Sequence, residues 1–168
     1  MKVYHEISPD AIGAALMNGL KRTSRGEKGS DDSIKKADAF LDAHCPAGLK
    51  ELGLSRDNNL YAYISDDEDI VDIVDGSLVQ LKDFISHSDQ KVLEVRVEPR
   101  QCYVSDLDTY DALKNAIENN EDKQIVEQLA HSYWNKIKVL NQFNIGDIRR
   151  PEVMVTYDVD QVHIKLVN

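Results

Sequence analysis

The chain has 168 residues, 42% hydrophobic and 30% charged, which is typical of a globular protein and predicts one domain over residues 1–168. Its net charge of −10 disfavours broad nucleic-acid binding, which requires several cationic contacts to phosphates. It has no apolar run near the ~18 residues of a membrane span, and its first residues have a strand-like pattern rather than that of a signal peptide, so we expect a cytoplasmic protein with no membrane partner.

Hydrophobic periodicity predicts strands and helices along the whole chain. The first helix has a typical start, Ser8 followed by Pro9, and a glycine stop at Gly19. In order, the predicted elements are a strand over 2–7, a helix over 9–18, a polar loop over 23–32, a helix over 34–44, a strand over 60–65, an acidic turn over 66–69, a short helix over 78–85, strands over 92–97 and 102–104, helices over 109–118 and 124–140, and strands over 152–157 and 162–167.

The order of these elements predicts the fold class. The helices lie before and between groups of strands rather than alternating with them, which favours an α+β protein with a mixed or antiparallel sheet over a doubly wound parallel sheet. Cys45 and Cys102 are the two cysteines, and because they stand in no metal-binding or redox spacing we expect reduced structural thiols. The histidines show no mutual metal-ligand spacing, so no metal site is predicted.

Residues on three predicted strands offer the groups needed to break the N-glycosidic bond of a dinucleotide such as NAD. His5 lies on the first strand, Tyr61 and Tyr63 share one face of a middle strand, and Glu152 begins a late one. The transition state resembles an oxocarbenium ion, which a carboxylate can stabilise, while an aromatic ring stacks on the leaving base. A histidine can fix the second ribose, and arginines can neutralise the pyrophosphate. The candidate arginines are Arg22, Arg25, Arg149 and Arg150.

Each candidate also has a plainer interpretation. A histidine or a tyrosine on a strand face is more often a packing residue than a ligand-binding one, and a carboxylate at a strand start is more often exposed. Cations that follow a helix end, such as Lys21 and Arg22, interact favourably with the helix dipole without any ligand. The pair Arg149-Arg150 is typical of a solvated surface.

Three short segments, in the correct order, resemble the ADP-ribosyltransferase superfamily. Tyr4-His5, followed by a helix and Gly19-Leu20, resembles the start of that fold. Leu60–Tyr63 resembles the strand that carries the stacking tyrosine of the family, and Glu152–Asp158 followed by Gln161-Val162 resembles the segment with the catalytic glutamate. The class that these segments resemble most is the His-Tyr-Glu class, which includes poly(ADP-ribose) polymerases and diphtheria-like toxins.

The resemblance implies a fold and an activity. The fold would be a split sheet flanked by helices. The activity would be NAD-dependent ADP-ribosyl transfer to an acceptor, which could be a protein, a nucleic acid or a small molecule. By position, His5 would hold the adenosine ribose, Tyr61 would stack on nicotinamide beside Tyr63, and Glu152 would bond the nicotinamide ribose. We assign NAD binding to these residues and to Arg22 and Arg25.

The chain also departs from the family pattern. Glu6 and Ile7 stand where the polymerases carry Gly and Ser, and Arg150 stands where arginine-modifying members carry Glu or Gln. A second hypothesis is therefore a catalytically inactive member of the same fold that binds a nucleotide or a protein. A third is an unrelated α+β interaction domain whose acidic face, Asp66–Asp75, meets a basic partner.

Overall fold

Nine strands and six helices form the part of the chain that the computed structural model describes, residues 1–24 and 31–167. None of these helices is both long enough and apolar enough to cross a membrane. In chain order the elements are β1 (Lys2–Ile7), α1 (Ile12–Asn18), α2 (Asp32–Ala43), α3 (Ala47–Glu51), β2 (Leu60–Asp66), β3 (Asp69–Val71), β4 (Leu78–Gln80), α4 (Leu81–His87), β5 (Lys91–Arg96), β6 (Cys102–Asp106), α5 (Leu107–Glu118), α6 (Lys123–Asn135), β7 (Lys138–Val139), β8 (Pro151–Val155) and β9 (Ile164–Val167).

The strands form one open sheet in which every described pair is antiparallel. The strand order is β7-β6-β8-β2-β1-β5-β9, and β3 and β4 extend from the far end of β2. Long helices pack on one face of this sheet, against Met154 and Tyr103. The predicted α+β class is therefore confirmed, and of the two sheet types that the sequence left open, mixed or antiparallel, the sheet is antiparallel.

β2 changes its partners part of the way along its length. Residues 60–62 pair with 153–155 of β8, whereas Tyr63 and Ile64 pair with Tyr4 and Val3 of β1. β1 nevertheless pairs with β5 along its whole length. β1 beyond Tyr4 and β8 before Val153 are therefore not paired with β2. A cleft opens there, beside the middle of β2.

Alternation along the strands sets what faces the helices. On β2, Leu60, Ala62 and Ile64 belong to the apolar core of one sheet face, while Tyr61 packs with Met154 against the helices on the other. Successive side chains on a strand point to opposite faces, so Glu152, two residues before Met154, shares the helix-covered face with Tyr61.

Aspartates begin the three long helices. The side chains of Asp31, Asp106 and Asp122 accept hydrogen bonds from the backbone N–H groups two or three residues further on, at 2.8–3.0 Å. Such N-caps satisfy donors that the first helical turn leaves unpaired. The predicted glycine stop is also confirmed, because α1 ends before Gly19, whose φ is 79°.

Several predicted boundaries were wrong. The segment predicted as a helix over 78–85 begins as β4, because its first three residues pair with β3, and only then becomes α4. The helix predicted over 124–140 ends at Asn135, because Lys138 and Val139 pair with β6 instead. The strand predicted over 162–167 begins at Ile164, after a single 3-10 turn. Of the predicted loop over 23–32, residues 25–30 lie outside the described part.

Both cysteines are free and buried. Burial raises the pKa of Cys45 to about 11 and that of Cys102 to about 12. Since only the thiolate is a good nucleophile, neither thiol is reactive at neutral pH in the folded protein.

A buried carboxylate joins β6 to α5 and α6. Asp106 accepts hydrogen bonds from Thr109 Oγ1 and from Lys136 Nζ, both at 2.7 Å, in addition to its N-cap bond. Burial by itself raises the pKa of Asp106, but the hydrogen bonds from Lys136 and Thr109 outweigh it, so the pKa is lowered.

Replacing Asp106 by Asn should lower the free energy of unfolding by about 2 kcal/mol at neutral pH, because Lys136 loses a charged acceptor. An aspartate whose pKa is lower in the folded than in the unfolded chain stabilises the fold above its unfolded pKa of ~3.9. That stabilisation is lost as the pH falls through the folded-state pKa, so the difference between the two proteins should shrink in this acidic range. Urea unfolding of the wild type and Asp106→Asn, at neutral pH and in steps below about pH 4, measures this difference in the free energy of unfolding.

Asp147→Asn is the matched control, because its ion pair with Lys138 lies at the surface. It should change stability much less. A loss for Asp106→Asn that stays constant with pH would contradict the charge-based explanation.

Candidate functional site

A cavity of ≈ 190 Å³ lies in the cleft beside the middle of β2. Its walls bring together residues from β1, β2 and β8 with one residue of the loop before β4. This volume is below the ~300–1,000 Å³ of sites that enclose a drug-sized ligand, so the cavity fits a single ring and its substituent rather than a whole dinucleotide. The lining residues are His5, Glu6, Tyr61, Ala62, Tyr63, Ile73 and Glu152.

Four of the residues predicted for NAD binding or catalysis therefore lie around one cavity: His5, Tyr61, Tyr63 and Glu152. Strand alternation alone would place His5 on the face opposite Tyr61. His5 reaches the cavity because β1 separates from β2 here, and its Nδ1 donates a hydrogen bond of 2.7 Å to the carbonyl oxygen of Tyr61. The imidazole thus bridges the two strands where their backbone pairing has ended.

The two tyrosines are held in different ways. The hydroxyl of Tyr61 donates to the carbonyl oxygen of Arg56, and that of Tyr63 donates to Glu6 Oε2 at 2.6 Å. Burial and the Glu6 carboxylate raise the pKa of Tyr63, so it remains a protonated donor at neutral pH. Glu6 also accepts a hydrogen bond from Ser88, which fixes this carboxylate in the cavity wall.

Arg56 is the central residue that the sequence did not predict. Its side chain is 1% exposed, and its Nη1 donates to Glu152 Oε2 at 2.6 Å and to the Tyr133 hydroxyl at 3.0 Å. Its Nε lies 3.6 Å from Asp38 Oδ1. Burial by itself lowers the pKa of an arginine, but the surrounding tyrosines and carboxylates raise the pKa of Arg56 well above its usual value. The guanidinium is therefore a permanent charge behind the cavity.

Aromatic rings enclose the same guanidinium. Its central carbon lies 4.5 Å from the ring centroid of Tyr61 and 4.3 Å from that of Tyr110. A cation over an aromatic ring gains electrostatic stabilisation, more so where water is excluded. Arg56 thus contacts the ring of one predicted site residue, Tyr61, and the carboxylate of another, Glu152.

Glu152 is held through one of its two oxygens. Oε2 receives a hydrogen bond of 2.6 Å from Arg56 Nη1. A carboxylate fixed in this way can accept a further hydrogen bond from a ligand hydroxyl while its orientation is maintained by the buried cation.

None of the predicted arginines that the structure describes, namely Arg22, Arg149 and Arg150, lines the cavity. Arg22 donates its backbone N–H to Asp158 Oδ1 at 2.9 Å, and its Nε lies 3.5 Å from the same oxygen. Arg25 lies outside the described residues. Arg150 was a candidate cation for the pyrophosphate, with a solvated surface pair as the plainer interpretation. In the structure its Nε donates to the carbonyl oxygen of Ile73 at 2.6 Å and its Nη1 pairs with Asp111 at 2.8 Å. It thereby holds the loop that carries the cavity residue Ile73.

The chain matches no family model, and no curated protein and no solved structure is significantly similar to it. Among the residues that the structure describes, no group of three or more His, Cys, Asp or Glu side chains is arranged to hold a metal ion. The chemistry that the cavity offers is that of two fixed carboxylates, two tyrosines and a histidine.

Replacing Arg56 by Met should lower the free energy of unfolding by about 3–5 kcal/mol, because the carboxylates of Glu152 and Asp38 lose a buried cation. Arg56→Lys keeps the charge but not the planar fork, so it should recover part of this loss. The free energy of unfolding of both variants is measured by chemical denaturation, with far-ultraviolet circular dichroism as the signal.

The matched control is Arg96→Met. The Arg96 side chain is 69% exposed, and its Nε lies 4.0 Å from Glu94, so we expect a change within about 0.5 kcal/mol. Equal losses for Arg56→Met and Arg96→Met would show that the buried cation does not organise the structure.

Proposed function

We propose that the protein is an NAD-dependent ADP-ribosyltransferase, which cleaves the nicotinamide N-glycosidic bond of NAD and passes ADP-ribose to an acceptor. One observation carries this proposal. His5, Tyr61, Tyr63 and Glu152, which the sequence resemblance assigns to NAD, come from three strands and surround the same cavity.

The geometry of Glu152 suits the carboxylate role. As the glycosidic bond breaks, positive charge develops on the ribose ring, and a preoriented carboxylate stabilises that charge without having to reorganise. In this proposal Oε1 accepts a hydrogen bond from a ribose hydroxyl, while Arg56 holds Oε2 at 2.6 Å. The buried arginine prevents the carboxylate from turning away.

The aromatic and acidic walls suit a positively charged ring. Tyr61 and Tyr63 offer ring surfaces of the size of nicotinamide, and such surfaces attract cations. Glu6 places a carboxylate in the same walls, which favours the pyridinium of NAD over a neutral ring, whereas the charge of Glu152 is balanced by Arg56. Because the cavity measures only ≈ 190 Å³, the adenosine and pyrophosphate of NAD would extend outside it.

A second candidate is a catalytically inactive member of the same fold that binds a nucleotide or a protein. Two observations favour it. The side chain of Glu6, which stands at the family's glycine position, lies in the cavity wall bonded to Tyr63. No lysine or arginine among the described residues lines the cavity, so the pyrophosphate would need cations from elsewhere.

Glu152→Gln should lower the rate of nicotinamide release from NAD by roughly 10²–10³-fold, because the amide cannot stabilise the developing charge. Nicotinamide is quantified by chromatography after incubation of purified protein with NAD. Glu121→Gln is the matched control, because Glu121 is exposed and is not among the residues that line the cavity. Its rate of nicotinamide release should equal that of the wild type.

The outcomes separate the candidate functions. Full activity of Glu152→Gln would overturn the assignment of Glu152. Calorimetric binding of NAD without nicotinamide release, by a wild-type protein with a cooperative thermal transition, would favour the inactive member. If the protein neither binds NAD nor releases nicotinamide, the interaction domain is favoured. Its acidic face over Asp66–Asp75 should then bind a basic partner in a salt-sensitive manner.

A further inference from the structure

A second cavity, of ≈ 450 Å³, adjoins the first. The two share Glu6 and Tyr63, whose side chains are hydrogen-bonded to each other. This pair therefore forms a common wall, and a group bound in the second cavity lies next to the space that we assign to the nicotinamide end of NAD. The further lining residues that matter here are Asp72, Val79, Asp83 and Phe84.

The floor of the second cavity is aromatic. The rings of Tyr63 and Phe84 meet edge to face with their centroids 4.8 Å apart, and Val79 adds an apolar side chain. Aromatic rings in a partly enclosed site attract organic cations through their negative faces. This preference is independent of any formal charge nearby.

The walls of the same cavity are acidic. They carry the carboxylates of Glu6, Asp72 and Asp83, and none of these forms an ion pair with a lysine or an arginine of the described residues. His87 also lines this cavity, and its Nδ1 donates a hydrogen bond of 2.7 Å to the backbone carbonyl oxygen of Asp83. The aromatic floor and the acidic walls thus favour the same kind of ligand, an organic cation.

We propose that the second cavity is the acceptor subsite and that it binds a primary amine, such as the side chain of lysine or the end of a polyamine. This inference rests on the proposed function. An ammonium binds as a cation and can then lose a proton to become a nucleophile. A primary amine therefore meets both requirements of an acceptor in this cavity, because it binds as a cation and attacks as a neutral amine.

The transfer step balances with these groups. The amine nitrogen forms a bond to the anomeric carbon of the nicotinamide ribose while the bond from that carbon to the nicotinamide nitrogen breaks. The electron pair of the broken bond neutralises the pyridinium, so neutral nicotinamide leaves. The bound ammonium loses one proton to a lining carboxylate before it attacks, and the nitrogen loses a second proton once it is bonded to the anomeric carbon. Both protons pass to water, so the products formed from the ammonium and NAD are an N-linked ADP-ribosyl amine, nicotinamide and two protons.

The first test measures binding of n-butylamine, whose ammonium resembles that of a lysine side chain, by calorimetry without NAD. Asp83 lines only the second cavity, so Asp83→Asn should weaken binding roughly 2- to 5-fold. Phe84→Leu, which removes the ring but keeps an apolar side chain, should weaken it as well. Asp89→Asn is the matched control, because Asp89 is exposed and outside the cavity. This variant should bind n-butylamine as tightly as the wild type does.

Two results of this test would overturn the cation site. One is equal affinity of Asp83→Asn and Asp89→Asn for n-butylamine. The other is binding of n-butanol, the neutral analogue, as tightly as n-butylamine. Weaker binding at high salt is expected, because the interaction is in part between charges near the surface.

The second test follows the fate of ADP-ribose when NAD and n-butylamine are supplied together. We expect butylamino-ADP-ribose beside free ADP-ribose, and a lower ratio of the first to the second in Asp83→Asn. NAD cleavage that yields only free ADP-ribose would overturn the acceptor assignment and leave the proposed function standing. No cleavage at all would overturn the proposed function, and with it the acceptor role of this cavity.

Discussion

A single buried positive charge organises the helices, the sheet and the candidate site. Removing a guanidinium from water is costly unless carboxylates and hydrogen-bond acceptors surround it. Arg56 meets this requirement with groups from five elements, and each of those elements is thereby fixed relative to the others. Asp38 comes from α2, Tyr110 from α5, Tyr133 from α6, Tyr61 from β2 and Glu152 from β8.

The loop that presents this charge is itself fixed by α2. The carboxylate of Asp42 accepts hydrogen bonds from the backbone N–H of Arg56 at 2.6 Å, from that of Asp57 at 3.2 Å and from the hydroxyl of Ser55 at 2.7 Å. Helix α2 therefore positions both the backbone of Arg56 and, through Asp38, its guanidinium. A site on β2 and β8 that needs precise geometry thus depends on a helix that contributes no residue to the cavity wall.

The sequence predicted the parts of this protein that local patterns encode. Alternation identified β1 and β2, and the grouping of helices identified the α+β class. Four of the seven residues around the first cavity, His5, Tyr61, Tyr63 and Glu152, were candidates from the strand patterns and the short segments of resemblance. Arg56 was not found, because a lone arginine in the polar stretch Ser55–Asn59 is indistinguishable from an exposed one. Its burial follows from Asp38 and Glu152, which only the folded chain brings near. The short strands β4 and β7 were missed for the same reason, since pairing with β3 and β6 decides their conformation.

The position of β8 has a consequence for how the protein is made. β8 lies between β2 and β6, yet it leaves the ribosome long after both of them. Until residues 151–155 have emerged, the facing edges of β2 and β6 have no strand between them, and unpaired edges readily pair with those of other chains. Joining segments so distant in the chain is also slow. The nascent chain therefore carries two unpaired strand edges while residues 107–150 are made, and the same strand that supplies Glu152 covers both edges once it has emerged.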